Sequence, residues 1–461
     1  MTINNRFRSY RYLLLMAAVI SVTGCKQMVS LPDRGDQSIS QGYFASDQKA
    51  IDAVNGLKAN AMRENGTFLN GAGSIYPGMS ADELKPTGSA KAWDDFAENR
   101  LGSGNIYVAT IYNTAYSLIA QVNLVLQGLG GNNVSPAVCT RLRGECYCWR
   151  ASAYCLLLGL FGDVPLVIGT NVDTNAILAR SPAAIVYSRI IDDLQAADSL
   201  LPGDYVPGDK DVVSRTSPNK WVARGLLARI YLYQERWQDA ERMATSVLGR
   251  ADLVLEQSPD SVFLSSSREI MWQLVPWGQG VNAEATYFLP AGANLKPSFA
   301  IRSTLLNAFE PGDRRKAAWT ATNSSGVVYP FKYKQRTGGD NKECYVMMRL
   351  AEQYLIRAEA RGYNGDLAGA IDDLNTIRLR AGLSPLKNGL SRQEVLSAVG
   401  QERRIELMCE WGHRWRDLKR TGQADSLLGP LKPAWKPTAA LYPFPAEELK
   451  RDSHLVQNPG Y

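Results

Sequence analysis

Two stretches of this chain repeat one pattern, and that pattern narrows the fold more than any other feature. Residues 219–234 and 237–248 read as a helical pair, and residues 348–363 and 367–379 read as another. Ala228 and Ala240 lie twelve positions apart in the first pair, and Ala358 and Ala370 keep the same offset in the second. Small side chains at that offset let two antiparallel helices approach closely, which is the logic of stacked tetratricopeptide hairpins. Neither copy carries the full consensus of that repeat.

Further helices precede the pairs. One covers residues 46–62. A second covers 107–129, where Leu118, Val122, Val125, Leu126 and Leu129 recur at helical spacing. A third runs over 136–160, with Pro136 in its first turn and F-G-D-V-P at its end. A fourth spans 182–201 with Ser181 as N-cap and Val186, Ile190, Leu194, Ala197 and Leu201 on one face. Residues 65–105, rich in Gly, Asn and Ser, read as a long loop. Residues 252–346 lose the helical period and hold β-like runs at 269–275 and 327–333. Long irregular segments in a compact protein are usually functional. After residue 421, Pro430, Pro433, Pro437, Pro443, Pro445 and Pro459 predict a mostly extended tail. The expected fold is mainly α, a tetratricopeptide-like helical superhelix with a loop-rich region packed on it.

The amino end says where such a fold would reside. Residues 1–11 carry Arg6, Arg8 and Arg11 and no acid, and an apolar run over 12–22 leads into V-T-G-C. A basic start, a short apolar core and a small-residue cleavage site form a secretory signal, and Cys25 at the cleavage point makes it a bacterial lipoprotein signal. The apolar run falls short of the roughly 20 residues that span a membrane. The expectation is a leader over 1–24, a lipid-bearing Cys25, a polar tether over 25–41, a helical part over 42–251, and a loop-rich and helical part over 252–461 interwoven with it.

Composition excludes some classes. Hydrophobic content of 45% and charged content of 21% are those of a folded chain, not a disordered one. The leader's three arginines leave +3 of the net +6, and the remaining basic runs are mixed with acids, so nucleic acid is not an expected partner. Cys139 and Cys146 are seven apart, as are Cys148 and Cys155, about 10 Å along a helix and too far for a disulfide within it. With only His413 and His454 in the chain, no metal or cofactor is expected, and the cysteines read as small buried apolar groups. The 21 Tyr and 10 Trp, against 11 Phe, favour a recognition surface.

Several segments, taken in order, resemble one family. They are R-A-S-A-Y-C-L-L-L-G-L-F-G-D-V-P-L-V (150–167), S-F-A-I-R-S-T-L-L-N-A-F-E-P-G-D-R-R (298–315), F-K-Y-K (331–334) and M-R-L-A-E-Q-Y-L-I-R-A-E-A (348–360). Q-E-R-R-I-E-L-M-C-E-W-G-H-R-W-R-D-L-K-R-T-G (401–422), Y-P-F-P-A-E-E-L (442–449) and Q-N-P-G-Y (457–461) complete the series. With the lipoprotein signal, the set resembles the SusD/RagB family of outer-membrane nutrient-binding lipoproteins. C-Y-C-W at 146–149 departs from the family's more ordinary residues there. The resemblance implies a non-enzymatic, cell-surface protein that caps a TonB-dependent SusC-like transporter and delivers oligosaccharides to it, or in some members peptides or glycopeptides. The motif residues themselves read as structural: Arg403 with Glu406, and Arg414 with Asp417, are i, i+3 neighbours of the kind that contributes only about 0.2–0.5 kcal/mol when exposed. His413 reads as a hydrogen-bonded structural group.

A sugar offers hydroxyls and one apolar C–H face, so its site needs a flat aromatic surface beside polar side chains, placed on irregular segments. Trp93 with Asp94, Asn99 and Arg100 meets that description, and the resemblance implies a ligand-site loop there. Trp277 with Asn282 and Tyr287 is the second candidate group, and Trp319, after Asp313-Arg314-Arg315, the third. Trp272 reads as readily as core. An exported hydrolase finds no support in motifs, since G-x-S-x-G and H-E-x-x-H are both missing. A peptide-binding helical scaffold with no transport role fits the repeats but not the lipid anchor.

Overall fold

Side-chain caps place many of the helix starts in the computed structural model, which describes residues 44–63, 66–206, 214–276, 282–292, 294–337 and 342–461. The leader, the tether and Cys25 lie outside the described residues, as does Trp277. Helix α1 (Asp47–Ala61) opens at Ser46, whose hydroxyl accepts the Lys49 amide at 3.4 Å. Segment 65–105 is not one loop: it holds α2 (Ala72–Ser80) and α3 (Lys91–Ala97). Every residue of α2 is buried, so its A-G-S-I-Y-P-G-M-S has no amphipathic stripe to betray a helix.

Helix α4 (Ile106–Gly128) is capped by Asn105, which accepts the Tyr107 and Val108 amides at 3.0 and 3.4 Å. Helix α5 (Pro136–Phe161) stops at Gly162, whose φ of 73° suits glycine. Helix α6 (Ala183–Leu200) is not capped by Ser181, which pairs with Val164 in a short strand bridge. Asp163 of F-G-D-V-P accepts the Ala183 amide instead, at 2.8 Å. Helix α7 (Lys220–Tyr233) starts at the cap Asn219, and α8 (Trp237–Leu248) follows a tight turn. After α9 (Ala283–Phe288) come α10 (Leu350–Asn364), α11 (Leu367–Arg380), α12 (Arg392–Glu406) and α13 (His413–Arg420). A reciprocal Ser391–Glu394 capping box opens α12.

Helices α5 to α8 pack one on the next, α8 packs on α10, and α10 on α11 and α12. Ala228, Ala240, Ala358 and Ala370 are all fully buried, as the close helix approach requires. Trp237 of the first hairpin stacks on Tyr363 of the second, centroids 3.9 Å apart and planes 8° from parallel. The fold is mainly helical and tetratricopeptide-like.

Short antiparallel strands fasten the irregular region to the helices. Strand β1 (Leu84–Pro86) pairs with β3 (Phe299–Ile301), and β2 (Ile270–Leu274) pairs with β4 (Tyr345–Arg349). Met348, expected in a helix, therefore belongs to β4. Trp272 is fully buried and meets Trp149 of α5 edge-on at 4.9 Å. The tail is less extended than its prolines suggest, with helices at Ala424–Leu431 and Ala446–Arg451. Pro445 directly precedes the second of these, where a proline costs no helical hydrogen bond. Cys146, Cys148, Cys155, Cys344 and Cys409 are buried free thiols, and Cys139 is half-buried.

The motif at 401–422 turns out to be interior. Arg403, Glu406 and Arg414 are buried, and Arg403 and Arg414 do not take the partners that i, i+3 spacing suggests. Glu406 pairs with Arg315 at 2.9 Å, Arg349 at 2.5 Å and Arg380. Arg349 also reaches Glu269 and Glu410, at 2.9 and 2.8 Å. Arg403 pairs with Asp417 at 2.8 Å, and Arg414 with Asp82 at 2.7 Å. Burial pushes the Glu406 carboxyl up, but Arg380, Arg349 and Arg315 outweigh it and hold the group well below the usual carboxylate range. His413 is buried with Nε2 3.9 Å from Glu352, and burial keeps its imidazole neutral.

Glu284 in α9 is a buried acid of the opposite kind. Burial, with Glu410 nearby, pushes its carboxyl up to about 8, although Ser74 beside it works the other way. A raised folded value means that the folded chain holds a proton the unfolded chain has released, so stability is full below the ordinary Glu value and is lost as pH rises towards 8. Glu284→Gln should remove that loss. Unfolding free energies of the two proteins from urea titrations should agree at about pH 4.5 and diverge by about 4 kcal/mol at about pH 8.5, the variant being the more stable. Parallel midpoints at both pH values would refute the assignment.

Candidate functional site

Helices α2, α3, α4 and α9 and strand β3 meet at one cluster of rings. Trp93 of α3 lies 6.0 Å from Tyr107 in the first turn of α4, the planes 21° apart. It meets Tyr287 of α9 edge-on at 6.2 Å and Phe299 of β3 at 4.9 Å. Tyr76 of α2 stacks beneath Tyr107 at 5.2 Å. Trp93, Tyr107 and Tyr287 are half-buried, while Tyr76 and Phe299 are buried behind them. Flat aromatic side chains that keep part of their surface in solvent are what a sugar's C–H face can stack on. Burial pushes the Tyr76 phenol up, so it stays neutral.

Local structure holds each ring in place. The Asn105 cap, whose amide also donates to Ala92 O at 3.0 Å, fixes α4 against α3 and thus Tyr107 against Trp93. Asn282 caps α9 by accepting the Ala285 amide at 2.8 Å, and Asn70 accepts the Ala283 amide at 2.9 Å. Together they set the position of Tyr287. Gly66, at φ 81°, brings the chain past Tyr287: a Cβ there would stand 3.4 Å from the tyrosine hydroxyl. The next residue, Thr67, lines a cavity of about 290 Å³, where Asn60, Arg63, Thr114, Ser117 and Gln121 face Leu57, Phe68, Leu69 and Leu118. The rings and this mixed cavity are thus joined through Gly66 and Thr67.

The residues expected at a site part company here. Trp93 and Tyr287 come together, and Asp94 is half-buried on the same helix as Trp93. Asn99 is buried at φ 54° and accepts a hydrogen bond from the Lys432 ammonium at 2.6 Å, which makes it part of the scaffold. Arg100 is exposed, 3.4 Å from Asp95. Asn282 is buried as a helix cap. Trp319 is fully buried, donates to Pro259 O at 2.9 Å and carries the Lys332 ammonium 4.3 Å over its ring, so it offers no open face. Its position after three charged residues misleads because two of them, Asp313 and Arg315, turn inward as a buried pair. Tyr107 and Phe299 were missed. The polar series Thr114, Ser117 and Gln121 along α4, beside its apolar stripe, was the available signal for the cavity.

Known proteins share this architecture. The family model described as "SusD family" matches residues 310–436, and the one described as "Starch-binding associating with outer membrane" matches residues 36–232. SusD-like protein P2 of Formosa agariphila is 28% identical over 426 residues, covering 78% of this chain and 82% of that protein. A laminarin binding SusD-like protein of known structure superposes with a TM-score of 0.76 at 23% identity, over 90% of this chain and 99% of the other. Surface glycan-binding protein A from Bacteroides uniformis does so with 0.78 at 21% identity, over 89% and 99%. With one model over residues 36–232 and the other over 310–436, the latter holding the hairpin of α10 and α11 and the buried 401–422 motif, the chain belongs to the SusD/RagB family.

Proposed function

We propose that the protein is a cell-surface glycan receptor, held at the outer membrane by lipid on Cys25, that passes oligosaccharides to a TonB-dependent SusC-like transporter. The observation that carries this reading is the half-buried triad Trp93, Tyr107 and Tyr287 on its aromatic base. The family is non-catalytic, so the ligand is held and handed on unchanged. Solved relatives described as laminarin binding and as a surface glycan-binding protein, and a family model described as associating with the outer membrane, support the ligand class and the location. Asp94, on the same helix as Trp93, and exposed Arg100 are the polar side chains offered to hydroxyls of a bound chain. Trp277, shortly after β2, remains a further candidate wall. Residues 42–251 and 252–461 serve as the receptor's two interwoven parts.

The test is a screen of neutral polysaccharides and of peptides, with calorimetry on the full chain. A saturable polysaccharide hit is expected; binding of peptides alone would overturn the ligand class. For the anchor, Cys25→Ala should move the protein from the membrane fraction to the soluble fraction and end its co-purification from detergent with a large β-barrel partner. A single myristoyl-sized chain holds only marginally and stable anchoring takes two signals, so the loss should be nearly complete. Retention in the membrane fraction would count against the anchor.

A further inference from the structure

The first turn of α9 holds a buried acid with nothing to neutralise it. Glu284 is 3% exposed, and among the described residues no cation stands within ion-pair distance of its carboxyl. Ser74 of α2 and Tyr345 of β4 place hydroxyls beside it. Lys332, Tyr333, Cys409 and Glu410 complete its charged and titratable surroundings. The Lys332 ammonium is already taken, by the Glu410 carboxylate and by Glu406 O at 2.9 Å. Burial pushes Tyr333, Tyr345 and Cys409 well above their ordinary values, so all three are neutral. A carboxylate at this place would face Glu410 without a counter-ion of its own, so the acid keeps its proton while the packing is intact.

The same acid sits where the ring cluster is assembled. Tyr287 follows it on α9, nearly one turn on. Helix α9 lies against the start of α2, where a Cβ on Gly71 would stand 2.7 Å from the Ala283 Cβ. On α2, Ser74 accepts the Trp411 amide at 2.8 Å, and Tyr76 stacks beneath Tyr107. One carboxyl thus touches both of the elements that set Tyr287 and Tyr76. Helix α9 is only six residues long. It is the smallest unit whose release brings the carboxyl to water, and local opening costs less than unfolding the whole chain.

We propose that α9 is a pH-operated arm of the ring cluster: with Glu284 protonated it holds Tyr287 against Trp93, and with Glu284 ionised it carries the carboxylate to water and takes Tyr287 out of the triad. Glycan binding at the cluster therefore weakens as the medium turns alkaline, and the inference rests on reading that cluster as the glycan site. The direction follows from the raised folded value: the proton is held below about 8 and lost above it. The Tyr287 phenol is itself pushed up by burial, so it stays neutral over this range.

The test compares the full wild-type chain with Glu284→Gln, which keeps the shape of the protonated acid and cannot ionise. Laminarin and soluble starch are the probes, titrated by calorimetry at about pH 6 and about pH 8.5. About three quarters of the acid is ionised at the higher pH, so the wild-type Kd should rise about fourfold more than that of Glu284→Gln between the two. Glu83, which burial pushes up to about 7, ionises in both proteins and cancels in the comparison. Amide exchange over residues 283–289, followed by mass spectrometry without glycan, should be equal in the two proteins at the lower pH and at least about threefold faster in wild type at the higher. Equal exchange at the higher pH, or an equal rise of Kd in both proteins, would overturn the proposal. A wild-type rise spread evenly over all segments would mean global loosening and would overturn the assignment to α9. If neither probe binds at either pH, the glycan reading of the cluster fails, and the exchange comparison alone decides whether α9 opens.

Discussion

Glu406→Ala should destabilise the protein by about 3–5 kcal/mol, the range for breaking a buried ion pair on one side only. Glu406 is fully buried in the last turn of α12, and its two oxygens serve Arg315, Arg349 and Arg380. The Glu406 peptide carbonyl also accepts from Arg349 and Lys332, at 2.5 and 2.9 Å, so the backbone contacts survive the substitution. What is lost is the one carboxylate common to three guanidinium groups. Arg315 would keep Asp313 and Glu402, and Arg349 would keep Glu269 and Glu410, but Arg380 would keep Glu269 alone. Because whole-protein stability is about 5–15 kcal/mol, the loss should be plain in a urea midpoint. Glu447→Ala is the matched control: Glu447 pairs with Lys450 at 2.8 Å with both side chains about 70% exposed, and its removal should change little. Equal midpoints for the two variants would show that the network does not hold the fold. Acid should act as Glu406→Ala does. The folded carboxyl lies well below its ordinary value, so its contribution is present above that value and lost as pH falls through the folded one.

Trp93→Ala should cost more than about 2 kcal/mol of glycan affinity, at least about thirtyfold in Kd, if the ring is the anchor of the site. Its faces and edges meet Tyr107, Tyr287 and Phe299 on separate elements, so truncation opens the centre of the triad and not its margin. Tyr287→Ala removes a wall and should cost less, about 1 kcal/mol. Calorimetry is the right measurement, because the substitution also removes a fluorophore. Circular dichroism melts should accompany it, since Trp93 packs on buried Phe299. Wild-type affinity in both folded variants would move the glycan site elsewhere.

Helices with an exposed face and an exposed cap could be read directly. Leu118, Val122 and Val125 lie on one buried face of α4 as their spacing predicts, because that helix has water on its other side. The alanines at 228, 240, 358 and 370 likewise announce where helices touch. Helix α2 could not be read, since a segment buried on all sides has no period to show. The cap of α6 could not be read either, because Asp163 lies twenty residues before the amide it receives. The candidate site was legible by half. Trp93 and Tyr287 stand out as aromatic residues on irregular segments, but so does Trp319, and no local rule separates a ring on the surface from one under Lys332.

Local order along the chain thus decided the helical class, the hairpin repeat and the family. Those follow from spacing over a few residues and from motifs read in sequence. Folding in three dimensions alone decided that Arg403, Glu406 and Arg414 go inside, and that Trp93, Tyr107 and Tyr287 meet while Asn99, Asn282 and Trp319 turn to structural work. Burial and partner choice for a long side chain depend on what arrives from elsewhere in the chain: Glu406 meets Arg315 across 91 positions and Arg414 meets Asp82 across 332, distances over which neighbouring residues carry no information.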